Sequence, residues 1–118
     1  MKKLLLITII ALSINANAQW VNQTSCTTNG LNGVFFVNAD TGYATADHYY
    51  NPTIITTVDG GANWTTLFNS AYSAYGVFFL NPNVGYVTAN FGTILKTVNG
   101  GVSWTGVAVN SFVYRVLL

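Results

Sequence analysis

The chain is predicted to be all-β, built from β-propeller blades of four antiparallel strands, with about two blades present and the propeller incomplete. Three observations lead there. Residues 33–46 (GVFFVNADTGYATA) return as residues 76–89 (GVFFLNPNVGYVTA), with nine identities in fourteen positions at an offset of 43. Residues 53–66 (TIITTVDGGANWTT) return as residues 93–106 (TILKTVNGGVSWTG), with eight identities in fourteen at an offset of 40. Between them, runs of Val, Ile, Phe, Tyr and Thr are broken by Asn, Asp, Gly and Pro about every ten residues, and nothing after residue 18 has a helical period. A repeat of this length is one supersecondary unit that cannot bury its own apolar face and must stack on a neighbour. Four strands in about 43 residues is the size of a propeller blade.

The elements follow in order. Residues 1–18 read as a secretory signal peptide: Lys2 and Lys3, then an apolar run over 4–14, then Ala16-Asn17-Ala18 with small residues before a cleavage point. Eleven residues fall short of the roughly 20 that span a bilayer, so no membrane span is expected after cleavage, and the protein is expected in the periplasm, at the cell surface or outside the cell. Residues 19–32 are expected to supply the last strand of another blade, because Trp20 precedes Gly33 much as Trp64 precedes Gly76. Residues 33–75 form a first blade, with strands at 33–38, 42–46, 53–57 and 64–68. Residues 76–110 form a second, with strands at 76–81, 85–89, 93–97 and 104–109. Residues 111–118 start a third, since 114–118 (YRVLL) sit where 75–79 (YGVFF) sit, at an offset of 39.

Two blades cannot close a ring of typically 4 to 8. The chain therefore reads as the N-terminal fragment of a longer propeller, the alternative being a short protein whose copies assemble into a ring. A lone pair of blades leaves an apolar face and unpaired strand edges uncovered, so self-association of residues 19–118 is expected.

Charge removes one class of function. Without its leader the chain carries Lys96 and Arg115 against Asp40, Asp47 and Asp59, a net charge of −1. Two cations cannot neutralise the several phosphates that nucleic-acid binding requires. Cys26 is the single cysteine, which excludes a disulfide within the chain, and His48 is the single histidine, which makes neither a zinc site nor a triad by itself. There is no glutamate, and no cofactor or metal is expected. The two units differ in length at one place, where residues 47–52 (DHYYNP) stand against residues 90–92 (NFG). Variable loops on a rigid scaffold are where binding tends to reside, so Asp47, His48, Tyr49 and Tyr50 form a candidate binding loop.

With these residues in place the chain resembles the Asp-box (bacterial neuraminidase repeat-like) β-propellers, and within them the photosystem II stability and assembly factor-like group. The blades of that group read approximately as FFxxxxxGYAxxxxGTIxxTxDGGxxW, and the likeness runs over nearly all of residues 33–118. The Asp-box pattern Ser/Thr-x-Asp-x-Gly-x-Thr/Ser-Trp falls on Thr57, Asp59, Gly61, Asn63 and Trp64, and again on Thr97, Asn99, Gly101, Ser103 and Trp104, with Asn63 and Asn99 departing from it. The resemblance implies a non-enzymatic scaffold that binds a protein or glycan partner; plant and cyanobacterial relatives help to assemble a photosynthetic complex. Similar boxes occur in sialidases, so the alternative is a carbohydrate-active propeller, lectin or glycoside hydrolase, with its site in blades absent here.

Physically, such a turn leaves backbone N–H groups without ladder partners, which a short acceptor side chain can satisfy. Asp59 and Asn99 are expected to do so, the amide less firmly. Gly61 and Gly101 are expected to supply positive φ, while Trp64 and Trp104 start the returning strands and pack over the turns. One carboxylate in the first copy and none in the second is a poor calcium site. Phe35, Phe36, Tyr43, Phe78, Phe79 and Tyr86 recur at equivalent positions and are expected in the core between blades.

Overall fold

The computed structural model describes residues 19–47 and 53–109. The expectations for residues 1–18, 48–52 and 110–118 lie outside the described residues. The described residues form eight strands: β1 Leu31–Phe36, β2 Gly42–Ala46, β3 Ile54–Thr57, β4 Thr65–Phe68, β5 Ala74–Phe79, β6 Gly85–Ala89, β7 Thr93–Thr97 and β8 Thr105–Ala108. They make two four-stranded antiparallel sheets, each ordered as in the sequence, β1-β2-β3-β4 and β5-β6-β7-β8. No described residue is helical.

Strand boundaries differ from expectation for local reasons. Both inner strands start two residues early, because Leu31 pairs with Ala46, and Ala74 with Ala89, across a bulge that ends at Gly33 or Gly76. Both stop short of the asparagine expected to end them. Asn38 Oδ1 instead accepts the N–H groups of Asp40 and Thr41, and Asn81 Oδ1 those of Asn83 and Val84, which spends the side chain on closing the turn. The outer strands begin at Thr65 and Thr105, one residue beyond each tryptophan. Residues 19–30 form no strand and pair with neither sheet, since a strand exists only by sharing its ladder.

The sheets stack face to face. Along each strand alternate side chains point to opposite faces, so each sheet has two different surfaces. The first sheet turns Tyr43, Thr45, Ile54 and Leu67 towards the second, which meets them with Val77, Phe79, Val87, Leu95 and Trp104. Tyr43 and Phe79 stack with ring centroids 4.0 Å apart and planes 15° from parallel, and Trp104 stands edge-on to Phe79 at 6.2 Å. Tyr43 Oη donates to Gly100 O at 3.2 Å, and Thr45 Oγ1 to Tyr75 O at 3.0 Å. Burial raises the Tyr43 phenol above its ordinary pKa.

Of the six aromatic residues expected in the core, Tyr43 and Phe79 are fully buried, at 4% and 3% exposed. Phe35, Phe78 and Tyr86 are half-buried, and Phe36 is 41% exposed. For the two rings that face outwards the cause is the missing neighbour. Phe36 and Tyr86 occupy the positions of Phe79 and Tyr43 on the two outward faces of the pair, where no second sheet lies against them.

Candidate functional site

The two Gly-Gly turns are the best-defined constellation. In the first, Thr57 ends β3 with its hydroxyl buried. Thr57 Oγ1 accepts from Gly61 N at 2.9 Å and donates to Asp59 Oδ1 at 2.8 Å. Asp59 Oδ1 also accepts from Asn63 N at 2.9 Å, and Oδ2 from Asn63 Nδ2 at 2.8 Å. Gly60 and Gly61 have φ of +71° and +95°, left-handed values that a side chain would strain. Gly60 N closes the turn on Asp40 O at 2.8 Å.

The second turn repeats this with one exchange. Thr97 Oγ1 accepts from Gly101 N at 2.9 Å and donates to Asn99 Oδ1 at 3.0 Å, which accepts from Ser103 N at 3.0 Å. Asn99 Nδ2, standing where Asp59 has its second carboxylate oxygen, donates to Ser103 Oγ at 2.8 Å. Asn63 and Asn99, the two departures from the box pattern, are therefore complementary: a carboxylate faces an amide donor in one turn, and an amide donor faces a hydroxyl acceptor in the other. Both side-chain oxygens of Asp59 are engaged by their own turn. Trp64 and Trp104 stand edge-on to Phe36 and Phe79, at 6.1 Å and 6.2 Å.

The Asn63 side-chain amide, the Asn63 backbone N–H and the Thr57 hydroxyl hold the Asp59 carboxyl below its ordinary pKa. A carboxyl whose folded pKa is depressed adds stability that is present above its unfolded pKa and lost as pH falls through the folded one. Asp59→Asn is thus expected to be less stable than the parent at neutral pH, with the difference vanishing below the ordinary carboxylate range. Denaturant melts of both proteins from about pH 7 to about pH 2 check this; a difference that stays constant with pH would sink it.

Of the candidate loop, Asp47 is described, and His48, Tyr49 and Tyr50 lie outside the described residues. Asp47 is the anchored foot of the loop. Its N–H donates to Gly30 O at 3.1 Å, its carbonyl accepts from Asn29 Nδ2 at 2.8 Å, and its Oδ1 accepts from Asn32 Nδ2 at 3.0 Å. Asn32 Nδ2 also reaches Ala74 O at 2.8 Å, which ties the foot to the second sheet. The shorter counterpart loop turns through Phe91 and Gly92, both with positive φ (+56° and +65°), and leaves Phe91 exposed.

Sequence reasoning missed Gln23. A Cβ on Gly61 would stand 2.2 Å from Gln23 Oε1, while a Cβ on Gly101 would stand 2.6 Å from Leu67 Cδ2. Gln23 lies three residues after Trp20, as Leu67 lies three after Trp64. Gln23 therefore lies on the Gly61 turn as Leu67 lies on the Gly101 turn, while Trp20 stays exposed, and the matching spacing from tryptophan is the signal that could have found it. Cys26 is a free, exposed thiol. Among the described residues no three of His, Cys, Asp or Glu gather into a group that could hold a metal ion, and no helix is long and apolar enough to cross a membrane.

No protein-family model matches the chain, and no curated protein matches it. Solved structures do. A structure described as YCF48 bound to D1 peptide is similar with a TM-score of 0.59 and 26% identity, covering 72% of this chain and 28% of that one. YCF48 from Cyanidioschyzon merolae is similar with a TM-score of 0.61 and 19% identity, covering 78% of this chain and 30% of that one. Both are β-propellers, and the chain spans less than a third of the length of either.

Proposed function

We propose that the chain is an exported, non-enzymatic β-propeller scaffold whose stacked sheets present loops to a protein partner. The observation that carries this is the similarity, at 26% identity, to a YCF48 structure that holds a D1 peptide. The turns agree with it, because the one carboxylate they contain is spent on closing the backbone. Export is supported by the leader-like residues 1–18. The contact surface is assigned to Asp47, His48, Tyr49 and Tyr50. Asp47 fixes the loop at its foot through Asn29 and Asn32, and the two tyrosines offer amphipathic rings suited to a protein surface.

The test compares the exported protein with a His48→Ala/Tyr49→Ala/Tyr50→Ala variant, using cross-linking in the source cells followed by purified pairwise binding. A discrete protein partner is expected, bound about tenfold or more weakly by the variant, with the melting temperature unchanged. Binding on a glycan array in place of a protein would overturn the proposal in favour of a carbohydrate-binding propeller. Equal binding by the variant would remove the loop from it.

A further inference from the structure

The two outward faces of the sheet pair are the two halves of the interface buried between the sheets. That buried interface joins two unlike surfaces. The first sheet offers Tyr43, Ile54 and Leu67; the second receives them with Phe79, Trp104, Leu95 and the Gly100-Gly101 turn. The repeat builds the receiving surface again on the outer side of the first sheet, from Phe36, Trp64, Ile55 and Gly60-Gly61. It builds the offering surface again on the outer side of the second sheet, from Tyr86, Ile94 and Val107. Registers agree residue for residue: Phe36 pairs with Gly42 as Phe79 pairs with Gly85, and Tyr43 with Thr56 as Tyr86 with Lys96.

The receiving surface keeps the same shape with no sheet against it; its floor, Ala44 and Ile55, is buried, and Gln23 and Ser25 lie along its rim. Phe36 and Trp64 meet at 6.1 Å and 83°, and Phe79 and Trp104 at 6.2 Å and 83°. Beside Trp64 lies an open hollow of about 360 Å³ walled by Val34, Ala44 and Ile55; their counterparts Val77, Val87 and Leu95 wall the site filled by the first sheet. Val34 is 63% exposed, and across the pair Val107 is 59% exposed.

Charge selects the occupant. At the buried interface the positions that matter are neutral: Asn83 and Asn99 at the receiving turns, Thr56 on the offering face. On the outer faces the same positions are charged. Asp40 and Asp59 stand at the receiving turns, and Lys96, the only Lys or Arg among the described residues, lies over the Tyr86 ring at 5.7 Å on the offering face. Tyr43 reaches the turn of Gly100, whose N–H bonds Asn83 O. A tyrosine docked the same way on the outer face brings its lysine neighbour to the turns of Asp40 and Asp59.

We propose that the chain assembles head to tail with a second copy of itself, the Tyr86–Lys96 face of one copy seated on the Phe36–Trp64 face of the next. Surfaces that are unlike give a heterologous contact that propagates to a ring or a row, and not a two-fold dimer. Docking replaces Gln23 at Gly61 by Val107 of the incoming copy, the residue equivalent to Leu67. Residues 19–23 form no strand that must be broken for this.

Three versions of the purified chain test the assembly by sedimentation velocity at matched concentration: the parent, Lys96→Asp and Asp40→Lys. Lys96 is exposed and the Asp40 side chain faces solvent, so neither change removes a core group. The parent is expected as an oligomer. Each variant is expected to associate at least about tenfold more weakly, because it faces like charge with like. Mixing the two variants is expected to restore association, since at each contact between unlike variants opposite charges face each other again. A monomeric parent would overturn the proposal and assign the faces to further blades. So would variants with the parent's mass, or a mixture that stays monomeric. The assembly rests on the propeller reading but not on the loop site: a monomeric variant that still binds a partner through Asp47 to Tyr50 would separate the two.

Discussion

Tyr43→Ala is expected to be the most damaging single substitution in the described structure, lowering stability by about 3–5 kcal/mol. Its ring lies 4.0 Å from that of Phe79, its hydroxyl bonds Gly100 O, and it is buried between the sheets. Truncation opens a cavity at the centre of the interface between the two described sheets. Tyr43→Phe keeps the stacking and loses one hydrogen bond, so about 1 kcal/mol is expected. The matched control is Tyr86→Ala, the same repeat position with no sheet across from it. At concentrations where copies are separate it should cost about 1 kcal/mol or less. Denaturant unfolding followed by tryptophan fluorescence checks all three. Equal losses at Tyr43 and Tyr86 would mean that the sheets do not stack through Tyr43.

Gly85→Ala should follow it in severity. A methyl there would stand 2.6 Å from the Phe79 ring, closer than real side chains approach. Phe79 cannot yield, being clamped between Tyr43 on one side and Trp104 on the other, so strain of about 1–3 kcal/mol or more is expected. Gly42→Ala places a methyl equally close, 2.7 Å, to Phe36. Phe36 is partly exposed and can turn away, and the loss should be well under half that at Gly85. The ratio of the two losses reports directly on whether a sheet covers each phenylalanine, and a ratio near one would contradict the packing.

The repeat made much of this legible before any coordinates. Identities at Gly42, Tyr43, Gly85 and Tyr86 place β2 and β6 to the residue, because the run Gly-Tyr-x-Thr-Ala recurs in both units and holds no turn residue after its first position. The sequence pattern starts the inner strands two residues late, because Leu31 and Ala74 join them through bulges that carry no composition signal. The same pattern runs the strands into Asn38 and Asn81, although asparagine has a second use, accepting two backbone N–H groups at a turn. What the repeat could not supply was environment. Phe36 and Phe79 are the same letter in the same register, and only the presence of a neighbouring sheet distinguishes an exposed ring from a buried one. Gln23 is legible only through its spacing after Trp20, since its role depends on Gly61, 38 residues away in sequence, and glutamine bears no resemblance to the leucine it replaces.

The site was legible in part. Thr57, Asp59, Gly61 and Trp64 stand out as a turn in sequence, and so do Thr97, Asn99, Gly101 and Trp104. The meaning of the mismatched positions came only with geometry, since the roles of Asn63 and Ser103 are set by which atom of residue 59 or 99 points at them.

That pairing across four residues has a consequence for how such chains diverge. Because the amide of Asn63 answers a carboxylate and the hydroxyl of Ser103 answers an amide, the two positions can drift together while the backbone stays still. One turn is anionic and the other neutral on the same frame. The two copies thus carry different surface charge on one backbone shape. Counting units by the aspartate alone would miss every copy that has taken the second form.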